Sequence, residues 1–402
     1  ILGHLDSVVH LGAVSLGTMI FNFLYWGFGF LRMGTSGFNA QAYGKRDLKE
    51  TFMVLSRALF VAFAGALLLI ILQYPVEKIA FWLINGSREV EKQAAVYFYI
   101  RIYAAPATLG LYVFNGWFLG MQNARFPMII TIVSNLLNTA FSLFFVYGMG
   151  MKSDGVAYGT VLAQYSGLLV AVFLFLKYYK RLLKYRDRKE VIVMEKIRQF
   201  FNVNKNIFIR TLCLIFAFSF FTARSAAYGN NLLAVNTLLL QFFFFFSYFI
   251  DGFAYAAEAI TGKYTGAENK KALRKAVRYL FQWGVLLSLG FSIVYLTFGQ
   301  NIFSLLTDNT SLMEIARSYY FWVWIVPLIS FAAFLWDGIY IGATASVAMR
   351  NTMLVSTIMV FLPAYFFFFF LWENHGLWLS LIVFLAARGF TMSIKARSAV
   401  LN

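Results

Sequence analysis

The chain has 402 residues, of which 61% are hydrophobic and only 13% are charged, and its formal net charge is +17. This composition excludes an ordinary soluble domain, in which about 25% of residues are charged. Apolar stretches long enough to cross a bilayer core recur throughout, which predicts an all-α polytopic membrane protein. The single cysteine, Cys213, excludes an internal disulfide and a cysteine metal cluster.

Eleven membrane spans are predicted, and short polar turns separate many of them. They cover residues 10–40, 51–73, 93–119, 127–149, 155–179, 206–226, 231–262, 276–299, 315–342, 352–372 and 376–394. These spans predict an N-terminal lobe (1–180), a basic cytoplasmic linker (181–205) and a C-terminal lobe (206–402).

The two halves of the sequence resemble each other at one constant offset. The matching windows are 43–50 with 265–272, 101–109 with 323–331, and 115–121 with 337–343. One offset across three windows indicates a duplication, and it predicts two six-helix lobes related by a pseudo-two-fold axis along the membrane normal. Residue 1 corresponds to residue 223, near the end of an apolar stretch, so we expect a first helix of about 20 residues to precede Ile1. Duplicated halves are typical of transporters that rock about a site between them.

Lysine and arginine concentrate in loops that fall on one predicted side of the membrane. The positive-inside rule places those loops and the C-terminus in the cytoplasm, which predicts a multi-pass protein of the cytoplasmic membrane. The largest cluster, within 177–205, is interpreted as a solvated linker beside the bilayer, not as a nucleic-acid site.

Three acids are predicted inside the membrane: Asp251, Glu258 and Asp337. An ionisable group at this depth costs several kcal/mol, so these acids are candidates for binding a coupling cation. Asp251 and Glu258 are seven residues apart and share a helix face. The alternative is that they are neutralised in structural ion pairs, for which the candidates are Arg32, Arg101 and Arg388.

Further polar residues within the spans are predicted to line a substrate cavity, although interhelical hydrogen bonds are an alternative for the amides. They are Tyr255, Tyr340, Asn135, Asn138 and Gln164. Pro106 and Pro327 lie in equivalent helices and predict kinks, with helix packing as the alternative explanation.

The chain carries no recognisable catalytic pattern. The histidines, His4, His10 and His375, lie near predicted helix ends and do not form a metal-binding arrangement. Zinc-protease, nucleophile-elbow and nucleotide-binding motifs do not occur in the sequence. We therefore expect a protein that is not an enzyme and needs no metal or cofactor.

Several motifs resemble the multidrug and toxic compound extrusion (MATE) transporters, in their DinF-like branch. They are LGHLDS (2–7), LRMGTSGFNAQAYG (31–44), GWFLGMQNARFP (116–127), IDGFAYAAEAITGKYTGA (250–267) and LWDGIYIGATASVAMRN (335–351). The resemblance covers essentially the whole chain. It implies twelve helices in two lobes around a central cleft, and export of amphipathic, often cationic organic compounds in exchange for a cation. We separately expect the protein to be a monomer.

The resemblance also implies roles for particular positions. Asp337 matches an acid that family members use in the second lobe, whereas the acid of the family's first helix would lie before Ile1. The span 206–226 lacks the glutamate that some relatives carry there, so a proton is favoured over sodium as the coupling ion.

Other functions remain open at this point. A flippase for a lipid-linked precursor would need a cationic cleft, for which Arg32, Arg101 and Arg388 are available. An intramembrane enzyme would need a converging nucleophile and base. A passive channel would differ from an antiporter because its flux would not follow an ion gradient.

Overall fold

A computed structural model describes residues 8–83 and 87–401, and it folds them mainly into helices. The chain divides into two compact units, unit 1 up to Phe200 and unit 2 from Phe201. The division lies within the segment 181–205, between the two predicted lobes.

Unit 1 is built around a core of aromatic and aliphatic side chains, in which Phe98, Trp117 and Phe118 are fully buried. Its third helix begins where Asp47 accepts a hydrogen bond from the Glu50 backbone amide at 2.8 Å, a standard N-cap. The helices are α1 (Val8–Gly27), α2 (Phe30–Gly44), α3 (Leu48–Ile71), α4 (Gln73–Leu83), α5 (Arg88–Arg101), α6 (Ala105–Gly120), α7 (Arg125–Leu143), α8 (Ser153–Tyr179) and α9 (Arg188–Val191).

Unit 2 has its own core, which includes the buried rings of Phe246, Trp378 and Phe384. Its helices are α10 (Met194–Ala226), which begins before the division, α11 (Asn230–Gly266), α12 (Lys270–Ser304), α13 (Thr310–Arg317), α14 (Tyr320–Gly342), α15 (Ser346–Leu354) and α16 (Leu362–Ala396). A π-helical segment, Val355–Phe361, joins α15 to α16.

Within the described residues, nine helical segments are long and apolar enough to cross a membrane. The predicted span 93–119 is not among them, and the 3-10 turn Ile102–Ala104 divides it into α5 and α6. The predicted spans 352–372 and 376–394 fall within one such segment, Ser346–Leu401. Apolar length alone reveals neither feature, because hydropathy does not report the backbone geometry at a turn or a kink.

The helix α16 is interrupted at the predicted turn between its two spans. Trp372 and Glu373 have non-helical backbone angles, and Glu373 has a φ of 47°. A Cβ on Gly376 would overlap the carbonyl oxygen of Phe368, which is possible only if the chain doubles back here. Glycine is therefore required at position 376 for this close approach.

The basic segment 181–205 is more ordered than the predicted solvated linker. It contains most of the 3-10 turn Lys180–Tyr185, then α9 and the first turns of α10. Lys49 forms an ion pair with Glu190 at 2.9 Å, and Leu182, Ile197 and Phe200 are buried. Apolar residues spaced among the charges give the segment one side that packs on unit 1 and another that stays in solvent.

The duplication is visible as identical backbone contacts at equivalent positions of the two units. A Cβ on Gly116 would overlap the carbonyl oxygen of Arg32, and a Cβ on Gly338 would overlap that of Ala254. The first contact joins α2 to α6 and the second joins α11 to α14, so each unit packs this helix pair backbone to backbone.

The helix ends repeat in the same way. Arg46 and Glu268 end α2 and α11 with φ values of 59° and 54°, and Gln122 and Thr344 follow α6 and α14 with φ values of 61° and 53°. Each is a left-handed residue that closes a helix C-terminus. None is a glycine, so the conformation is imposed by the packed helices, not by local preference.

Candidate functional site

A cluster of charged side chains is buried in unit 2. Asp337 on α14, Arg210 on α10 and Arg388 on α16 are 5%, 8% and 2% exposed. Both guanidinium groups donate from Nη2 to Oδ2 of Asp337. The distance from Arg388 is 2.7 Å. Because unpaired charges are costly away from water, this mutual pairing makes their burial tolerable.

The cluster has hydrogen-bonding capacity that the protein does not use. Oδ1 of Asp337 and the Nε atoms of Arg210 and Arg388 are buried and have no hydrogen-bond partner among the described residues. Buried polar atoms are nearly always paired, so this cluster is unusual in keeping one carboxylate acceptor and two Nε–H donors without partners among the described residues. Asp251 on α11 lies near enough to act electrostatically on Arg388.

The other residues predicted in unit 2 lie in different surroundings. Glu258 is buried on α11, with its backbone carbonyl against Gly342 of α14. Tyr255 is 38% exposed. Tyr340, predicted to line a cavity, is instead fully buried, and its hydroxyl donates to the Met392 carbonyl at 2.7 Å. Its large ring fills the core, so Tyr340 offers no surface to a substrate in this conformation.

The three amides predicted to line the cavity belong to unit 1. Asn135 is exposed on α7, and Asn138 on the same helix donates to Thr160 Oγ1 at 3.0 Å. Gln164 is half-buried on α8. Asn138 therefore makes the interhelical hydrogen bond that was the alternative interpretation.

The arginines predicted to form ion pairs behave differently from one another. Arg388 pairs with Asp337, as described above. Arg101 instead donates to the Tyr97 hydroxyl at 2.5 Å and to Thr18 at 3.2 Å, and it lies over the Phe21 ring. No carboxylate in the described part of the chain lies within ion-pair distance of Arg101, so the predicted pair is corrected to hydroxyl and ring contacts. Arg32 is half-buried on α2.

The two prolines occupy different parts of their helices. Pro106 is the second residue of α6, where a missing amide hydrogen costs nothing, and the break in the helix is the 3-10 turn before it. Pro327 lies inside α14. The two prolines, which lie one place out of step in the repeat, thus have different local roles in equivalent helices.

Sequence reasoning missed Arg210, which completes the charged cluster. The signal was present, because Arg210 is a charged residue inside the apolar stretch 207–223, and it was treated only as part of a span.

A second buried polar group could not be recognised from the sequence as three residues in contact. Asn236 exchanges hydrogen bonds with Asn374 at 2.7 and 3.2 Å and accepts one from Trp378 at 2.8 Å. This group fixes α11 against the second part of α16.

The two histidines within the described residues make polar contacts of their own. Nδ1 of His10 is 3.4 Å from the Ser153 hydroxyl, and His375 accepts a hydrogen bond from the Trp322 indole at 3.1 Å. His4 lies outside the described residues. In the parts of the chain that the structure covers, no group of three or more His, Cys, Asp or Glu is placed to hold a metal ion.

The fold and this site define a multi-pass helical membrane protein built from two equivalent units, one of which encloses a charged cluster. The MatE family model matches residues 1–144 and 207–366, so the chain belongs to the MatE family. The chain is 35% identical to DNA damage-inducible protein F of Escherichia coli K12, over 98% of this chain and 85% of that protein. It is 22% identical to a probable multidrug resistance protein NorM of Thermotoga maritima, over 71% of this chain and 62% of that protein.

Solved structures share the fold. The bent form of the Vibrio cholerae MATE transporter VcmN superposes with a TM-score of 0.84 at 16% identity, covering 98% of this chain and 92% of that one. An outward-facing multidrug resistance MATE family transporter of the MOP superfamily superposes with a TM-score of 0.79 at 18% identity, covering 96% and 87%. The all-helical fold class predicted from sequence is thereby confirmed.

Proposed function

We propose that the protein is a secondary active antiporter of the cytoplasmic membrane, which exports organic, amphipathic or cationic compounds in exchange for protons by alternating access. Membership of the MatE family supports this proposal, as do relatives named as multidrug resistance proteins. The observation that carries it is the buried carboxylate of Asp337, held between two guanidinium groups.

Protonation would change the balance of forces in this cluster. When Asp337 is charged, it attracts both Arg210 and Arg388 and holds α10, α14 and α16 together. When it is neutral, two positive charges face each other without their shared partner. Two unit charges 4 Å apart repel by roughly 4 kcal/mol at an effective dielectric constant of 20. That energy is sufficient to bias a conformational equilibrium whose states differ by a few kcal/mol.

The same arrangement favours a proton over sodium as the coupling ion. A hard metal cation requires several oxygen ligands around it. At Asp337 one carboxylate oxygen is already occupied by two cationic groups, and these would repel a metal ion. A proton needs only one oxygen, and Oδ1 is unpartnered in the described structure.

The remaining predicted residues take supporting roles in this proposal. Asp251 and Glu258 would relay or share the coupling charge, because Asp251 acts on Arg388 and Glu258 lies two helical turns further along α11. Tyr255, Asn135 and Gln164 would contact the substrate, whereas Asn138 would hold α7 to α8 through its hydrogen bond. We further propose that the transporter works as a monomer and that its C-terminus is cytoplasmic, because the basic loops fall on that side.

The flippase alternative is weakened by the contacts of the arginines it would need. Arg388 is neutralised by Asp337, and Arg101 is engaged by Tyr97, Thr18 and the ring of Phe21. Arg101 keeps its positive charge, but its guanidinium is bound by two hydroxyls and a ring, and that of Arg388 by a carboxylate, so both are engaged within the protein.

The proposal is tested by measuring efflux of a fluorescent organic cation from proteoliposomes that contain the full-length transporter. A proton gradient and a sodium gradient are imposed in separate experiments. We expect efflux to follow the proton gradient and to stop when a protonophore collapses it. Efflux that follows only sodium would overturn the choice of ion, and efflux that ignores both gradients would overturn antiport.

A further inference from the structure

Unit 2 contains a cavity of about 620 Å³, and no residue of the charged cluster lines it. It lies where the start of α15 meets the end of α16, and its volume is typical of ligand sites. Its polar lining residues include Ser346, Asn351, Thr352, Thr391 and Lys395. None of the described residues that line it is acidic.

The duplicated unit provides an internal comparison, because the equivalent place in unit 1 is filled. Phe126 is the repeat equivalent of Ala348, and its ring packs on Phe118, Tyr178 and Tyr179 with centroid separations of 5.2, 5.0 and 6.2 Å. In unit 2 the alanine at position 348 lines the cavity. The cavity thus lies where unit 2 has an alanine in place of the aromatic ring that packs at this position in unit 1.

The chemistry of the lining has changed together with its shape. Unit 1 has Ile129 and Ile130 at the positions that hold Asn351 and Thr352 in unit 2. Two apolar groups in one unit thus correspond to an amide and a hydroxyl in the other. The Thr352 hydroxyl donates to the Ala348 carbonyl at 3.0 Å, so its oxygen is an acceptor, and Asn351 is the group of this pair that can donate to a polar ligand.

The charge of the site is positive. Lys395 lines the cavity. Arg350 donates to Asn351 Oδ1 at 2.7 Å, which leaves the amide hydrogens of Asn351 as donors at the cavity. The first residues of α15 also line it, so the helix dipole adds to the positive potential. Donors and positive charge without a carboxylate favour an anion.

We propose that this cavity binds a phosphate-type anion, carried by the headgroup of an anionic lipid or by a free phosphate. The cavity lies at the end of α16 that the charge distribution predicts to be cytoplasmic, where anionic lipids meet basic pockets between membrane helices. Val347, Val355 and Ile394 supply an apolar side that suits an acyl chain or a glycerol backbone.

The test is a thermal unfolding titration of the full-length transporter in detergent, with phosphatidylglycerol, phosphatidylcholine and inorganic phosphate as separate probes. A ligand that binds the folded state raises the Tm by mass action. We expect phosphatidylglycerol or inorganic phosphate to raise the Tm, and phosphatidylcholine not to. A response to phosphatidylglycerol alone identifies the lipid headgroup, and a response to inorganic phosphate identifies the free anion.

Two variants and a matched control test whether the change in Tm comes from binding in this cavity. Ala348→Phe restores the plug of unit 1 and is expected to abolish the response, and Lys395→Gln is expected to raise the apparent Kd roughly tenfold. Arg397→Gln removes a charge two residues away that does not line the cavity, and it should keep the wild-type response. The proposal is overturned if no anion raises the Tm, if phosphatidylcholine acts equally well, or if Lys395→Gln binds like wild type.

Discussion

At the scale of single residues, the central feature is a carboxylate shared by two guanidinium groups. Asp337 lies away from water and binds Arg210 and Arg388 through the same oxygen. Removing the shared partner leaves two buried cations facing each other, whereas removing one arginine leaves a simple pair. The three residues are therefore unequal in their effect on stability.

This inequality predicts the order of stability in single variants. Asp337→Asn is expected to cost about 3–5 kcal/mol, because it leaves uncompensated buried charge. Arg210→Gln is expected to cost less, because Asp337 keeps Arg388 as its partner. The measurement is thermal unfolding of the purified protein. The control is Glu314→Gln, which changes an exposed residue of α13. Equal destabilisation by Asp337→Asn and Arg210→Gln would contradict the shared-carboxylate arrangement.

The sequence predicted part of this site. Asp337 and Arg388 were identified because charge at membrane depth is costly, and the two do pair. The sequence did not predict that Arg210 would be the second arginine of the cluster. Arg210 is 127 residues from Asp337 in the chain, and only the folded structure brings α10 against α14. Tyr340 was misplaced for a related reason, since a tyrosine in a core and one in a cavity look alike in sequence.

At the scale of helices, the pairs α2–α6 and α11–α14 are held by glycines that let two backbones touch. Gly116 and Gly338 each lie against a carbonyl oxygen of the neighbouring helix. Close packing by small residues replaces the hydrophobic driving force, which is weak between helices in lipid. The same contact in both units shows that it is a requirement of the fold.

Gly338→Ala is expected to destabilise the protein by about 3 kcal/mol or more, because the new methyl group overlaps backbone that cannot move aside. Gly290→Ala on α12 is the matched control, since its added methyl group meets open space. The control should be neutral or slightly stabilising, because alanine restricts the unfolded chain. Thermal unfolding and monodispersity after gel filtration measure both variants. A Gly338→Ala protein as stable as the Gly290→Ala protein would refute the backbone contact.

At the scale of the whole molecule, the protein is one scaffold used twice with different chemistry. The two units share helix contacts and left-handed helix ends at the constant spacing of the sequence repeat. They differ in their functional groups, because the buried Asp337 of unit 2 corresponds to Asn115 in unit 1. The duplication could be predicted from three short windows of sequence, since glycines at close contacts tolerate no replacement. The break within the span 93–119 could not, because hydropathy is insensitive to a 3-10 turn.

The most direct test of the account is proton-driven efflux by the Asp337→Asn variant of the full-length transporter in proteoliposomes. Wild type and Glu314→Gln serve as references, and the amount of folded protein in each preparation is matched by gel filtration. We expect Asp337→Asn to lose at least about tenfold in gradient-driven efflux, which corresponds to about 1.4 kcal/mol, and Glu314→Gln to behave as wild type. Full proton-driven efflux by a folded Asp337→Asn protein would contradict it and would move the coupling site elsewhere.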